Sequence, residues 1–252
     1  MAERTIVGID GSGPSLAALR WALEHRLRSP APLVLENVTT GGDHTGNVAL
    51  QHAVDLVEVA QQSAHVRIAE GDPTRTLVAD AASGDLLVVG THKTGYLRGR
   101  VTGTKGVLIA ALARCTTVVV PEDTLEHRHG VVVGVSAHPE CHAAIIRGAA
   151  EAQRRGDELY LVHAAADTQG DSAEGRALLS AAADLAALTA PNLAIRRRLS
   201  HRRTPDALLD ASRSASLLVI GAARTDHEQP GVPGDVMHEV LLNLMSPVMV
   251  AR

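Results

Sequence analysis

Phenylalanine is absent from these 252 residues, and tryptophan and tyrosine together occur three times. A core without aromatic bulk has to be built from Val, Leu, Ile and Ala. The same scarcity removes the stacking platforms on which single-strand nucleic-acid binders lay bases. Basic charge is not in excess either: 24 Lys and Arg stand against 28 Asp and Glu, a net charge of −4. Nucleic-acid binding, which usually shows a basic field, is not expected. No apolar run approaches the roughly 18–20 residues that span a bilayer, so no membrane association is expected. Cysteine is scarce, with only Cys115 and Cys141. With no secretory apolar segment near the N-terminus, these read as thiols of a reducing, cytoplasmic compartment.

What is present is a repeat. Thr5-Ile-Val-Gly-Ile-Asp10 returns as Val131-Val-Val-Gly-Val-Ser136, with Gly134 lying 126 residues after Gly8. Leu86-Leu-Val-Val-Gly90, followed by Gly103-Thr104, returns as Leu217-Leu-Val-Ile-Gly221, followed by Gly234-Asp235; here the offset has grown to 131 residues. Solenoid periods run to roughly 20–50 residues, so this is a duplicated domain. The expected division is a first domain over 1–122, a charged and His-rich linker over 123–129, and a second domain over 130–252.

Within each copy, short runs of β-branched residues alternate with Ala- and Leu-rich amphipathic segments. Thr5–Ile9, Leu33–Val38, Leu86–Val89 and Thr117–Val120 lack polar alternation and read as strands covered on both faces, with His65–Ala69 as a further strand. Ser15–Leu27, Asn47–Gln62, Thr74–Ala82 and Lys105–Ala113 read as helices. The second copy repeats the order with strands at Val131–Val135, Leu159–His163, Ala194–Leu199, Leu217–Ile220 and Val248–Val250. Its helices fall at Cys141–Arg155, Ala173–Leu188, Pro205–Ser212 and Asp235–Leu244. Strands alternating with helices imply an α/β fold: two Rossmann-like domains, each a five-stranded parallel sheet flanked by helices. Thr39–Gly46 and Asp167–Gly175, Gly- and Asp-containing and similarly placed, are candidate flexible lids.

In an open parallel sheet ligands bind outside the carboxyl ends of the strands, where the strand order reverses. Asp10 ends the first strand, Val38 the second and Gly90 the fourth, and the loop after Gly90 closes at Gly103-Thr104 before a helix. Glycine admits a close backbone approach, free N–H groups at a helix start bind anions, and a Thr hydroxyl adds a donor. A carboxylate at the first strand's end suits a ribose or a base. In outline this is a nucleotide site.

Gly90-Thr-His-Lys93, then nine residues, then Gly103-Thr104 resembles the Gly-x2-Gly-x9-Gly-(Ser/Thr) signature of the universal stress protein family. Asp10-Gly-Ser12 and Gly71-Asp-Pro73 also look like that family, and the resemblance covers the chain as two tandem domains of the adenine nucleotide alpha hydrolase-like type. It implies that the first domain binds ATP, or AMP or cyclic AMP, with Mg2+ left open as a companion of ATP. Carried over by position, Asp10 would meet the adenosine and the Val38 backbone the adenine, with Ile9 among the binding residues. Gly90, Gly103, Thr104 and Lys105 would hold phosphates. It further implies pairing of the last strands, Thr117–Val120 with Val248–Val250, between the two domains of one chain, and leaves a homodimer open.

The departures carry information. Lys93 replaces the signature's middle glycine, and its ammonium, with Arg98 or Arg100, has a route to phosphate. In the second copy Ser136 stands for Asp10, Arg224 for Lys93 and Asp235 for Thr104. Asp235 reads as a helix cap, and its carboxylate would repel a triphosphate. The expectation is a nucleotide-responsive regulatory protein, with slow ATP hydrolysis as the limit of any turnover. Two rivals stay open: a nucleotide-independent scaffold with Lys93 filling the pocket, and a nucleotidyl-transfer enzyme. His138-Pro-Glu-Cys141-His142 has ligand-type residues but no partner pair, and reads as a helix start rather than a metal site. Arg196–Arg198 and His201–Arg203 read as an exposed strand edge or loop, with an acidic partner or a polyphosphate ligand as the alternative.

Overall fold

The computed structural model describes residues 4–28, 30–40, 45–92, 104–122, 128–165, 171–222 and 233–252. These residues gather into two compact units, one holding those up to 122 and the other those from 128.

Unit 1 runs β1 (Thr5–Gly8), α1 (Gly13–Arg28), β2 (Leu33–Thr39), α2 (Thr45–Val59), β3 (His65–Glu70), α3 (Pro73–Asp80), β4 (Leu86–Thr91), α4 (Thr104–Leu112) and β5 (Thr116–Pro121). Unit 2 runs β6 (Val131–Gly134), α5 (Cys141–Arg155), β7 (Leu159–Ala164), α6 (Asp171–Thr189), β8 (Ile195–Ser200), α7 (Thr204–Ser212), β9 (Leu217–Gly221), α8 (Asp235–Leu242) and β10 (Val248–Ala251).

Strand order in unit 1 is β3-β2-β1-β4-β5 and in unit 2 β8-β7-β6-β9-β10, and every pairing within a unit is parallel. The fold class is therefore the expected one. In both units the first strand in sequence lies at the centre, between the second and the fourth. Thr5–Gly8 pair with Leu33–Glu36 on one side, and Thr5–Val7 with Leu86–Val88 on the other. This puts the reversal of strand order, and the crevice it opens, at the C-terminal ends of β1 and β4.

The cores are aliphatic. Ile6, Leu19, Leu35, Leu87, Leu161 and Leu218 are among their largest fully buried side chains, joined in unit 1 by Trp21, whose ring stacks on His25 at 5.1 Å. The edge strand β3 is not covered on both faces: Val66 is 48% and Ile68 58% exposed.

The two candidate lids shrink. Thr39 belongs to β2, Thr45 and Gly46 to α2, and residues 171–175 to the first turns of α6. Residues 41–44 and 166–170 lie outside the described residues. Gly175 marks close packing rather than a loop, since a methyl group there would sit 2.8 Å from both His163 Cδ2 and Leu199 Cδ1.

Candidate functional site

The turn after β1 is built from three residues. Gly11 takes φ +80°, a conformation that glycine adopts without a Cβ clash. The chain thereby folds back so that Ser12 donates to Asp10 Oδ1 twice, from its N–H at 3.0 Å and its hydroxyl at 2.6 Å. The Ser15 hydroxyl donates to the Ser12 carbonyl at 2.9 Å, fixing the turn to the start of α1. Burial pushes the Asp10 carboxyl up, but the bonds from Ser12 and Ser15 and the charge of Lys105 outweigh it. Asp10 is held below the usual carboxylate range and is ionised at neutral pH.

Around it lies a cavity of about 130 Å3, lined by Ile9, Asp10, Glu36, Val38, Gly90 and Lys105 with parts of α1, α3 and α4. Of the residues expected from sequence, Ile9, Asp10, Val38, Gly90 and Lys105 meet here. Thr104 begins α4. Lys93 and Gly103, with Arg98 and Arg100, lie outside the described residues.

The electrostatics favour an anion in unit 1. The first turn of α4 carries no acidic residue and does carry Lys105. A cation there opposes the helix dipole, which by itself is destabilising, yet it adds to the positive potential of the free N–H groups. In unit 2 the corresponding α8 opens on Asp235. The sequence reading of Asp235 as the cap is corrected: Gly234 is the N-cap, with no side-chain cap bond. The Asp235 charge instead complements the dipole from inside the first turn and cancels the positive end. Unit 2 has its own cavity, about 300 Å3, lined by Ser136, His138, Cys141, Thr204, Asp235 and Met237 among others. Its Cys141 thiol accepts from the Ser136 N–H at 3.3 Å and is pushed up by burial. Among the described residues no group of three His, Cys, Asp or Glu is placed to hold a metal ion.

Sequence reasoning missed two features. One is a clip shared by both units. Asn37 Nδ2 donates to the Ile9 carbonyl at 2.6 Å, and 126 residues on, His163 Nδ1 meets the Val135 carbonyl at 2.8 Å. A carbonyl only accepts, so His163 carries its proton on Nδ1. The signal was available as the same offset that relates Gly8 to Gly134. The other is Glu36. It lies on β2 two residues before Val38, so both face one side of the sheet. It is 1% exposed, and no donor among the described residues reaches either carboxyl oxygen. The group it faces is the Asp80 carboxyl, itself 2.8 Å from Arg67. Burial first, then the hydrogen bond to Asp80 and its repulsion, raise Glu36 to about 8 against the pull of Arg67 and Arg4.

Residues 1–121 and 127–252 each match the model of the universal stress protein family. The chain belongs to that family, in its tandem form. A universal stress protein of Mycolicibacterium smegmatis is 26% identical over 282 residues, which span 98% of this chain and 96% of that one. One from Mycobacterium tuberculosis is 26% identical over 287 residues, again 98% and 96% of the two chains. Among solved structures, a universal stress protein from Archaeoglobus fulgidus superposes with a TM-score of 0.81 at 13% identity, covering 100% of this chain and 99% of that one. At that identity the likeness speaks for the fold.

The basic run of this universal stress protein lies at an exposed edge, on β8 and the turn after it. Arg196 pairs with Glu158 at 3.0 Å, Arg203 with Glu239 at 2.8 Å, and Arg202 with Asp210. Much of the run is therefore matched by the unit's own carboxylates. Among the described residues no helix is long and apolar enough to cross a membrane.

Proposed function

We propose that unit 1 binds an adenine nucleotide, ATP first and AMP or cyclic AMP as members of the same class, and that the protein acts through it as a nucleotide-responsive module of the stress response. The observation that carries this reading is the pairing of opposite chemistries in one cavity. Ionised Asp10 offers acceptors for ribose hydroxyls, and Lys105 at the acid-free start of α4 offers cationic and N–H donors for phosphate. The proposed contacts are Ile9, Asp10, Val38, Gly90, Thr104 and Lys105, with Lys93 and Gly103 completing the phosphate seat. The domain limits proposed are 1–122 and 130–252. Unit 2, with Ser136 and Asp235 at the equivalent places, takes no triphosphate.

Native mass spectrometry of the full chain titrated with ATP, AMP and cyclic AMP tests this. One nucleotide per chain, lost in Asp10→Ala, is the expected result. Two per chain overturns the asymmetry between units. None at millimolar ligand overturns the nucleotide reading and leaves the scaffold.

A further inference from the structure

Glu36 is an anomaly that nucleotide binding alone does not require. A carboxyl this deeply buried needs a donor or must itself be one. Among the described residues no donor reaches it, and the neighbouring Asp80 carboxylate only accepts. One protonation state would satisfy the pair: a proton on Glu36, donated to the Asp80 carboxylate.

The charges around it agree. Asp80 faces it from α3 and Arg67 from the in-register position on β3. From the segment leading into β1, Arg4 bonds Asp85 at 2.5 Å and reaches the Asp80 carbonyl at 3.2 Å. On β1 the in-register neighbour is Gly8, which carries no charge. Two guanidiniums, Arg4 and Arg67, balance two carboxylates, Asp80 and Asp85. Lys105 shares the cavity with Glu36, and its charge acts on Asp10; among the described residues a third carboxylate at Glu36, between the sheet and the helix that carries Asp80, has no cation of its own.

That helix reaches the cavity. Asp80 is the last residue of α3, and Pro73, Thr74 and Leu77 of the same helix line the unit 1 cavity. Leu77 also lies over Gly8, where a methyl group would come within 3.1 Å of its Cδ1. Whatever loosens the C-terminal end of α3 loosens one wall of the pocket.

We propose that Glu36 is a proton-operated positioning residue: protonated, it ties α3 to β2 through Asp80 and holds the cavity wall in place, and when its proton leaves for solvent the two carboxylates repel, α3 loosens and nucleotide binding weakens. The binding half of this inference rests on the function proposed above; the α3 half does not. The device acts in the mildly alkaline range, because burial and Asp80 place the Glu36 titration at about 8.

The test uses the full chain as wild type and as Glu36→Gln, whose amide keeps a donor toward Asp80 at every pH. Hydrogen exchange of the α3 amides, divided by that of the α5 amides in the same sample, cancels the intrinsic pH dependence of exchange. Between pH 7 and 9 this ratio rises about tenfold in wild type and stays within twofold in Glu36→Gln, and the Kd for ATP follows the same pattern. A second variant, Asp80→Asn, removes the repulsion and flattens the wild-type rise. Equal pH dependence in wild type and Glu36→Gln overturns the proposal, as does a Glu36 carboxyl carbon titrating near pH 4–5 by NMR. A tenfold α3 response in a chain that binds no ATP sustains the latch and removes the nucleotide reading.

Discussion

Gly90, at the C-terminal end of β4, abuts Pro14 in the first turn of α1. A methyl group on Gly90 would overlap the Pro14 carbonyl and sit 2.7 Å from the Ser15 nitrogen. Unit 2 repeats the relationship, with a methyl on Gly221 falling 2.8 Å from the Glu140 carbonyl oxygen. These obstacles are backbone, so neither can swing aside. The glycine that the sequence marks as part of a nucleotide signature thus has a packing reason of its own, present in both units whatever they bind. Gly90→Ala is expected to destabilise unit 1 by about 1–3 kcal/mol or more, read as a fall in the urea midpoint. An unchanged midpoint would mean that α1 can withdraw from β4 at no cost.

Lys105 opposes the dipole of its own helix, so removing it separates binding from stability. Lys105→Ala is expected to leave stability unchanged or raised by a few tenths of a kcal/mol, because the unfavourable dipole term goes. The same change weakens ATP binding by about 1.5–3 kcal/mol, roughly ten- to a hundredfold, as a charge-assisted bond to phosphate is lost. Calorimetric titration beside thermal melting reads both. A loss of stability matched by no loss of affinity would place Lys105 in the scaffold.

Arg4 and Asp85 give a pH prediction of definite sign. Burial raises the Asp85 carboxyl, but bonds from the Arg4 side chain, the Ala82 N–H and the Arg4 N–H overcome it and hold the group below its ordinary value. A depressed carboxylate stabilises the fold above its unfolded pKa, and that contribution is lost as pH falls through the folded value. Arg4→Met is therefore expected to cost about 1–3 kcal/mol at pH 7, with the gap to wild type closing below about pH 4. A gap of constant size down to pH 3, in urea melts taken at each pH, would show that Arg4 acts through packing alone.

Both cysteines are buried, Cys115 at 0% and Cys141 at 3% exposure, and burial pushes the Cys141 thiol up. Cys141 is therefore no reactive thiolate at neutral pH, and Cys115 is shielded from reagents by its burial. A disulfide reagent such as Ellman's at pH 7.5 is expected to label no thiol within minutes in the folded chain and two on unfolding. Fast labelling of one thiol in the folded chain would reveal an opening of α5 that gives access to Cys141.

Much of the architecture was legible because duplication prints each signal twice: β-branched runs bounded by turns gave strands, and Leu and Ala spacing gave helices. The Cys141–Arg155 helix was placed to the residue. The lining of the candidate cavity was legible where a residue stands at a strand end, as for Asp10, Val38 and Gly90. It was not legible where chemistry depends on what lies across the sheet. Glu36 looks like a polar residue in a strand; only the register with Arg67 and the reach of α3 bring Asp80 to it. Glycine was ambiguous for the same reason. Residue 175 is a glycine inside a helix, where His163 and Leu199 leave room for nothing larger, and composition alone suggests a loop there.

Trp21 is the chain's single tryptophan, 2% exposed in the first unit and stacked on His25. Its emission is therefore a private optical signal: it reports the melting of the first half alone, while the far-ultraviolet dichroism of the backbone reports both halves at once. If the two signals trace one curve, the halves share a single cooperative transition. If they part, each half keeps its own thermal history, and a ligand's grip on the first can be watched without labels while the second serves as the silent reference.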